Sequence, residues 1–259
     1  MKIISWNVNG IRAVAKKWFK EFVAEHNPDI LCLQETKAFE DQFLKDVWAL
    51  EWYDYVWHAG ERPGYAGTVI FYKKELNAEQ TKNTFWDIIH FNNDGRMTQV
   101  DFWDFIILNG YFPNGWTRAN GQEMLTYKLD FYKNLTSYCN ALKESGREVI
   151  ITWDFNIVHT EIDIARPDAN KNTIGFLPIE RETIWNFFAE WYTDVWRHHN
   201  PWVVDTYSWW SYRAWARPRN VGWRIDYFAV TDSILEQVKE IEYLWDVMWS
   251  DHCPVMMKI

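Results

Sequence analysis

The chain is poor in the features that mark secreted and membrane proteins. No apolar run approaches the ~18 residues that a membrane-spanning helix needs, and the first residues carry no signal-peptide pattern. Its three cysteines, Cys32, Cys139 and Cys253, are too few and too scattered for a disulfide framework. We therefore predict a cytoplasmic protein with reduced thiols and no membrane association.

A basic excess is also missing. Lysine and arginine number 27 against 36 acidic residues, a net charge of −9, which argues against a protein that coats nucleic acid nonspecifically. An enzyme with a local basic face is compatible with this balance, because clustered catalytic carboxylates contribute to the acidic count. No linker, charge block or repeat divides the 259 residues, of which 48% are apolar. The prediction is a single domain, residues 1–259, with a sizeable core.

Glycine is scarce and tryptophan abundant. The chain has 11 glycines and 19 tryptophans, whereas glycine usually approaches ~7% of residues. Several tryptophans occupy turn, helix-end or close-approach positions that favour glycine. Our hypothesis is that the cell reads one codon as glycine where the written sequence gives tryptophan, since some bacteria use UGA for glycine; an aromatic-rich surface is the alternative. The suspect positions are Trp103, Trp116, Trp153, Trp191, Trp215 and Trp249.

Apolar runs of strand length alternate with helical periods along the chain. The predicted strands outnumber the helices, and residues 97–102 and 105–111 are expected to form a hairpin. Helices are predicted at residues 14–26, 122–144 and 178–190. Because the strands include hairpins, a mixed sheet or a pair of sheets is favoured over a doubly wound parallel sheet.

Polar side chains follow four predicted strands at the points where the strands give way to loops. Strand ends are where α/β enzymes carry their functional groups. An oxygen-rich set with one imidazole suits a hard divalent cation and metal-assisted cleavage of a phosphate ester. The six residues are Asn7, Glu35, Asp154, Asn156, Asp251 and His252.

These residues differ in how specific their signals are. Asn7 and Glu35, taken singly, are as typical of turns and solvated loops as of a metal site. Asp154 and Asn156 alternate around one intervening residue, so both could face one pocket. His252 follows an acid at the start of a strand, where a lone histidine is more often structural than catalytic.

Two further residues bear on the chemistry. Asp226 offers a carboxylate that could fix the tautomer of His252 and stabilise its cation. Tyr111 ends a strand with a phenol, which fits core packing as well as it fits a phosphate contact.

Residues 207–224 interleave aromatic residues with arginines. Arginine grips phosphates bidentately, and indoles stack on bases or line a sugar pocket. A solvated basic loop packed by core aromatics is the alternative interpretation. The four arginines are Arg213, Arg217, Arg219 and Arg224.

Together these motifs resemble the exonuclease III family of apurinic/apyrimidinic endonucleases, within the wider endonuclease/exonuclease/phosphatase superfamily. The resemblance covers essentially the whole chain, and the Trp-Trp-Ser-Tyr-Arg and Gly-Trp-Arg-Ile-Asp-Tyr-Phe segments point to this family in particular. It is carried by Ser5–Gly10, Leu33–Lys37, Gly64–Thr68, Tyr111–Asn114, Asp154–Asn156 with His159, Glu161–Asp163, Gly175–Phe176, Trp209–Arg213, Asn220–Phe228 and Ser250–Pro254.

The resemblance implies both a fold and an activity. The implied fold is a DNase I-like, four-layered α/β sandwich, with two mixed β-sheets flanked by helices. The implied activity is Mg²⁺-dependent hydrolysis, with Mn²⁺ as a second candidate ion, of the phosphodiester 5′ to abasic sites in duplex DNA. We also expect 3′-5′ exonuclease and 3′-end-trimming activity. The expected partner is double-stranded DNA with abasic sites or blocked 3′ ends, and the expected state is a monomer.

The resemblance also implies residue roles. Asn7 and Glu35 would hold the metal with Asp251 nearby, and Asp154 and Asn156 would position and activate the attacking water. The implied metal site comprises Asn7, Glu35, Asp154, Asn156, Asp251 and His252. The implied catalytic residues are Tyr111, Asp154, Asn156, Asp226 and His252. The implied DNA contacts are Asn114, Asn172, Trp209, Arg213, Trp223, Arg224 and Ile225, of which Trp209, Trp223 and Ile225 would wall the pocket for the baseless sugar.

Departures from the family pattern leave two alternatives open. The family has glycine where this chain has Trp153 and Trp249, and an indole at 153 is expected to crowd the strand end beside Asp154. Some relatives carry asparagine at Thr173, with Asn172 as a neighbouring substitute. A catalytically impaired DNA-binding protein, or a phosphatase of the same superfamily, are therefore the alternative functions.

Overall fold

The structure is a computed structural model that describes residues 1–44, 50–85, 92–118, 123–190 and 192–259. Trp191 and the first predicted residue of the helix at 122–144 lie outside the described residues. The strands are β1 Lys2–Asn7, β2 Ile30–Gln34, β3 Tyr53–His58, β4 Thr68–Lys73, β5 Gln80–Lys82, β6 Met97–Asp101, β7 Ile106–Tyr111, β8 Val149–Asp154, β9 Thr193–Asp194, β10 Asp226–Val230, β11 Glu240–Tyr243 and β12 Val255–Lys258. The α-helices are α1 Ile11–Ala15, α2 Phe19–His26, α3 Glu40–Leu44, α4 Leu125–Glu144, α5 Pro167–Asn170, α6 Pro178–Glu190, α7 Val195–His199 and α8 Asp232–Leu235.

The strands form two six-stranded sheets, in the orders β11-β12-β1-β2-β4-β3 and β5-β6-β7-β8-β10-β9. Both sheets are mixed, because β1 pairs in parallel with β2 and β7 with β8 while the other pairings are antiparallel. The predicted pair of mixed sheets is confirmed. The 97–102 and 105–111 hairpin is also present, as β6 and β7.

Three apolar cores separate the layers. One core contains Ile3 and Ile70 of the first sheet together with Ile107 and Ile150 of the second, so it lies between the sheets. The second sheet packs its other face on α4 and α6, and the first packs on α1, α2 and α3. This arrangement is the four-layered sandwich that the resemblance implied. No helix in the described part of the chain is both long and apolar enough to cross a bilayer.

Helix boundaries follow from which side chains are buried. Helix α4 buries Phe131, Leu135 and Cys139, a repeat of four residues that keeps one face on the second sheet. The prediction of one helix over residues 14–26 was wrong, because the chain forms α1 and α2 with a break between them. Val14 and Phe19 are both buried, yet five residues of continuous helix would turn them ~140° apart. The break lets both face the first sheet.

Candidate active site

The ends of β1, β2 and β8 bring three polar side chains together. Asn7 is in parallel register with Gln34, which places Glu35 beside it. The Asn7 amide nitrogen donates to Glu35 Oε1 and to Asp154 Oδ2, both at 2.9 Å. Glu35 has a positive φ of 50°, so the chain leaves the strand in a sharp turn at this residue. The predicted grouping of these three strand ends is present.

A metal ion fits this donor set. Glu35, Asp154 and His252 each offer a ligand atom, and these atoms lie within 4.8 Å of one another. Asn7 presents its amide nitrogen to both carboxylates, and a half-turn of that amide would present Oδ1 to the same space. Carboxylate and amide oxygens are the donors that hard divalent cations take. These residues could therefore hold Mg²⁺ or Mn²⁺.

His252 is held between two carboxylates. Its Nδ1 lies 2.8 Å from Asp226 Oδ2, and its Nε2 lies 3.8 Å from Asp154 Oδ2. Antiparallel pairing of β8 and β10 sets Asp226 opposite Asp154, which explains how one ring meets both acids. Burial lowers the pKa of His252, but the charge and hydrogen bond of Asp226 outweigh burial and raise the pKa above its usual value. The ring therefore favours its charged form.

The environment of Asp154 raises the pKa of its carboxyl above the usual value. Burial raises its pKa, His252 opposes that effect, and the nearby charges of Asp226 and Glu35 reinforce it. The backbone N–H of Asn156 donates to Asp154 Oδ1 at 2.9 Å, and the Asn156 side chain donates to the carbonyl of Phe112 at 3.0 Å. Asn156 has a positive φ of 52°, so the strand end turns sharply and both residues face one cavity.

Asp251 lies at the same cavity but is engaged by protein groups. Its Oδ1 accepts from the Asn9 amide at 2.9 Å, and its Oδ2 accepts from the Trp209 indole at 3.1 Å. The Asp251 carboxylate therefore lies outside the tight cluster of Glu35, Asp154 and His252. This placement fits a residue near a metal, as the resemblance implied, better than a direct ligand.

The cavity at these strand ends has a volume of about 230 Å³. One part of its lining is apolar: Trp209 and Trp223 meet edge to face with ring centroids 5.7 Å apart, and Ile225 is buried beside them. The other part carries the polar groups described above. The full lining comprises Glu35, Tyr111, Asn114, Trp116, Asp154, Asn156, Thr173, Ile174, Gly175, Trp209, Trp223, Ile225, Asp251 and His252.

The phenol of Tyr111 faces this cavity as a protonated group. Desolvation raises its pKa well above the usual value, and the charges of Glu35 and Asp154 add to the effect. The guanidinium of Arg96 donates to the Tyr111 carbonyl at 3.1 Å, which fixes the backbone behind it. Tyr111 can therefore donate a hydrogen bond toward the cavity.

The predicted DNA contacts divide into three groups. Asn114, Trp209, Trp223 and Ile225 line the cavity. Arg213 is exposed and is not part of the lining. Asn172 is exposed and is not part of the lining, where Thr173 stands instead.

The prediction that Arg224 contacts DNA was wrong. Its guanidinium is fully buried and forms ion pairs with Asp163 at 2.7 Å and with Asp194 at 2.6 Å. Because no part of the side chain reaches solvent, Arg224 cannot contact DNA. It joins the segment before β10 to β9 instead.

Neither doubtful tryptophan obstructs the site. Trp153 is buried on the face of β8 opposite to Asp154, where its indole donates to the Leu108 carbonyl at 3.0 Å and packs on Phe112 and Gly110. The expected crowding of Asp154 was wrong, since successive strand residues point to opposite faces. Trp249 packs against Trp6 with ring centroids 6.2 Å apart. Neither residue lines the cavity.

Sequence reasoning missed two polar residues beside the carboxylates. Lys37 places its ammonium 2.6 Å from Glu35 Oε2, and it also donates to the Asn9 side chain. Asn9 in turn holds Asp251. Both residues lie in the sequence segments that support the resemblance, and this position is the signal by which they could have been found.

Two facing mixed sheets, with an acidic cluster and an Asp–His pair at one set of strand ends, define a sandwich of the DNase I-like class. The chain belongs to the Endonuclease/Exonuclease/phosphatase family, whose model matches residues 4–252. The chain is 39% identical over 267 residues to an exodeoxyribonuclease of Bacillus subtilis (strain 168), covering 100% of this chain and 99% of that protein. It is 38% identical over 258 residues to a DNA-(apurinic or apyrimidinic site) endonuclease of Dictyostelium discoideum, covering 98% and 69%. An AP endonuclease from Archaeoglobus fulgidus has the same fold, with a TM-score of 0.87 at 24% identity over 100% of this chain and 99% of that one.

Proposed function

We propose that the chain is a DNA repair nuclease that hydrolyses the phosphodiester 5′ to abasic sites in duplex DNA, with 3′-5′ exonuclease and 3′-end-trimming activity. The observation that carries this proposal is one cavity lined both by the carboxylate–imidazole cluster and by Trp209, Trp223 and Ile225. The polar groups suit a phosphate, and the apolar wall suits a sugar that has lost its base. Relatives named as an exodeoxyribonuclease and an abasic-site endonuclease support the same reaction class.

The proposed cofactor is Mg²⁺, with Mn²⁺ as the second candidate. Glu35 and Asp154 would hold it, and Asn7 would join them through its amide oxygen. Asn156, Asp251 and His252 line the same cavity beside the proposed ion. The charged ring of His252 has no free nitrogen to bind it, and both carboxylate oxygens of Asp251 already accept hydrogen bonds. When bound, the ion offsets the negative charge that develops on the phosphate oxygens.

The side chains divide the proton and charge chemistry between them. Asp154 takes the proton of the attacking water, since its carboxylate lies at the cavity between the Asn7 amide and the His252 ring. His252, as an imidazolium, stabilises charge on the phosphate, and Asp226 holds its Nδ1 proton in place. Asn156 orients the water. Tyr111 and Asn114 donate to non-reacting phosphate oxygens.

The proposed physical setting is a cytoplasmic monomer acting on double-stranded DNA with abasic sites or blocked 3′ ends. Cys32, Cys139 and Cys253 support a reducing compartment, because all three are free and buried. Exposed arginines of the 213–219 segment, Arg213 and Arg219, provide a local basic face on an otherwise acidic chain.

The deciding experiment is incision of a labelled duplex that carries one abasic-site analogue. We expect a single cut on the 5′ side with Mg²⁺ and none with chelator, and His252→Ala should lose the cut while still shifting the duplex in a gel. A band shift without incision would support the impaired DNA-binding alternative. Phosphate release from phosphoinositides, without any cut in the duplex, would support the phosphatase alternative.

A further inference from the structure

An ion pair beside the cavity is completely buried. Lys128 of α4 and Glu180 in the first turn of α6 bring Nζ and Oε1 to 2.5 Å, and neither side chain has any exposed surface. Removing two charges from water is costly, and the pair recovers that cost only if further hydrogen bonds satisfy its remaining atoms. The other hydrogen-bond partners of Lys128 and Glu180 therefore show which parts of the structure the pair connects.

Those partners are all backbone groups. The Lys128 ammonium donates to the carbonyl of Asn156 at 2.8 Å and to the carbonyl of Asn114 at 3.4 Å. The second oxygen of Glu180 accepts from the N–H of Gly175 at 2.6 Å and from the N–H of Leu177 at 3.1 Å. One buried pair thus joins three separate loops.

The three loops form the walls of the catalytic cavity. Asn114, Asn156 and Gly175 all line it. Each loop contains a residue with left-handed backbone, at Gly115 (φ 80°), Asn156 (φ 52°) and Gly175 (φ 94°). Other hydrogen bonds join these loops in pairs, from the Val158 N–H to the Gly175 carbonyl at 2.9 Å and from the Asn156 side chain to the Phe112 carbonyl at 3.0 Å. The Lys128–Glu180 pair bonds to all three loops at once.

We propose that Lys128 and Glu180 are positioning residues that hold the cavity walls at the separation required for reaction, and that they control turnover rather than DNA affinity. This inference rests on the proposed nuclease function. Neither side chain reaches the cavity surface, so neither touches substrate. A displacement of catalytic groups by ~1 Å costs about 100-fold in rate, and the carbonyl of Asn156 is bonded directly to Lys128.

The first test separates turnover from binding. Lys128→Met should lower kcat on the abasic duplex by about 10- to 100-fold. The Kd measured by fluorescence anisotropy in chelator should stay within about threefold of wild type, since among the proposed DNA contacts only Asn114 is bonded to Lys128, at 3.4 Å. Glu180→Gln should show a smaller loss, because its one amide oxygen cannot serve both Lys128 and the two backbone N–H groups. Wild-type turnover in both variants, or a loss confined to Kd, would overturn the proposal.

The second test separates positioning from stability. In the double variant Lys128→Met/Glu180→Met, apolar side chains of similar size should recover most of the stability that a single variant loses. They cannot bond to the backbone of the three loops, so kcat should stay low. A double variant with wild-type turnover would show that the pair contributes stability alone, and would overturn the proposal.

Leu135→Ala is the matched control. Leu135 is fully buried on the same helix as Lys128, two turns further along, and truncating it destabilises the protein through a cavity without touching the three loops. Its kcat should stay within about twofold of wild type. A loss of turnover equal to that of Lys128→Met would contradict the proposal.

Amide hydrogen exchange gives a readout that does not depend on activity. In the double variant, exchange at Gly175 and Leu177 should accelerate, while exchange at the β8 amides stays slow. If the wild-type chain does not cut the duplex, the proposed function fails, and the exchange result decides by itself whether the pair holds the loops. Unchanged exchange at Gly175 and Leu177 would overturn the positioning role.

Discussion

The imidazole Nδ1 of His252 and the Oδ2 of Asp226 lie 2.8 Å apart, with both side chains almost inaccessible to solvent. This contact fixes which ring nitrogen faces the carboxylate and leaves Nε2 toward Asp154 and the cavity. It links β10 to the loop before β12, so it crosses from the second sheet to the first. The contact therefore ties the two halves of the sandwich together at the point where chemistry is proposed.

The two residues of this pair should act as one unit. His252→Ala and Asp226→Ala should each lower single-turnover cleavage by about 100-fold or more, the scale of a lost acid–base or charge-stabilising group. The double variant should be little worse than the poorer single variant. Rate losses that add in the double variant would contradict the pairing, and unchanged duplex affinity in each variant serves as the control.

Glu35 and Lys37 should change the metal requirement in opposite directions. Glu35→Gln removes a carboxylate ligand and should raise the Mg²⁺ concentration for half-maximal cleavage by more than about tenfold. Lys37→Met removes a cation 2.6 Å from Glu35 Oε2 and should lower that concentration. Both shifts can be measured by Mg²⁺ titration of cleavage and by Mn²⁺ binding. If both variants raised the Mg²⁺ requirement by the same amount, Lys37 would have no charge effect of its own on the metal site.

The salt dependence of DNA binding should distinguish the surface arginines from the buried one. Arg213→Ala and Arg219→Ala should each flatten the slope of log K against log salt by about 0.9 if each contacts one phosphate. Arg224→Met should leave the slope unchanged and lower the free energy of unfolding, because its guanidinium is enclosed by Asp163 and Asp194. A changed slope for Arg224→Met would show that the segment opens on DNA.

Asp163 should make the fold sensitive to acid. Burial raises the pKa of Asp163, but Arg224 and Arg197 outweigh burial and hold the pKa below its ordinary value of 3.8. Its contribution to stability is therefore complete above about pH 4 and declines as the pH falls toward the lower folded-state pKa. Asp163→Asn should lower the free energy of unfolding by about 3–5 kcal/mol at pH 7, and the difference from wild type should shrink in urea titrations below about pH 4. A difference independent of pH would contradict an ionised Asp163.

The tryptophan excess predicts UGA codons in the gene at the suspect positions and UGG at Trp6, Trp209, Trp210 and Trp223. Trp215 has a positive φ of 53° and is 79% exposed, both of which suit glycine better than an indole. Mass spectrometry of the protein from its natural host should then give glycine at these positions. UGG at Trp153 and Trp249 would refute the hypothesis.

If the indole at 153 is genuine, the structure reverses the expected effect of removing it. If Trp153 crowded Asp154, Trp153→Gly would raise the stability of the fold and the incision rate. Trp153 instead fills the core between β8 and α4, so its removal should lower the free energy of unfolding by about 3–5 kcal/mol through a cavity. Thermal melts of this variant will show whether its stability falls or rises. Trp103→Gly, at an exposed turn, is the control.

Most of the fold and of the site could be predicted from the sequence, because both depend on the local pattern of apolar and polar residues. Strand alternation and polar strand ends located Asn7, Glu35 and Asp154 before any contact was known. Alternation could also have shown that Trp153 faces away from Asp154. By contrast, the role of Arg224 depends on Asp163, which lies 61 residues away along the chain. No local pattern distinguishes an arginine that meets such partners from one that meets a phosphate.

The first strand of the protein lies between β2 and β12, so residues from the two ends of the chain are neighbours in one sheet. The Ser250 hydroxyl bonds to the Asn7 carbonyl at 2.8 Å, across 243 residues. Contacts between such distant segments form slowly during folding, because a long loop must close first. During synthesis, β1 emerges long before its neighbour β12 exists. A growing polypeptide therefore lacks both Asp251 and His252 until its last segment has been made.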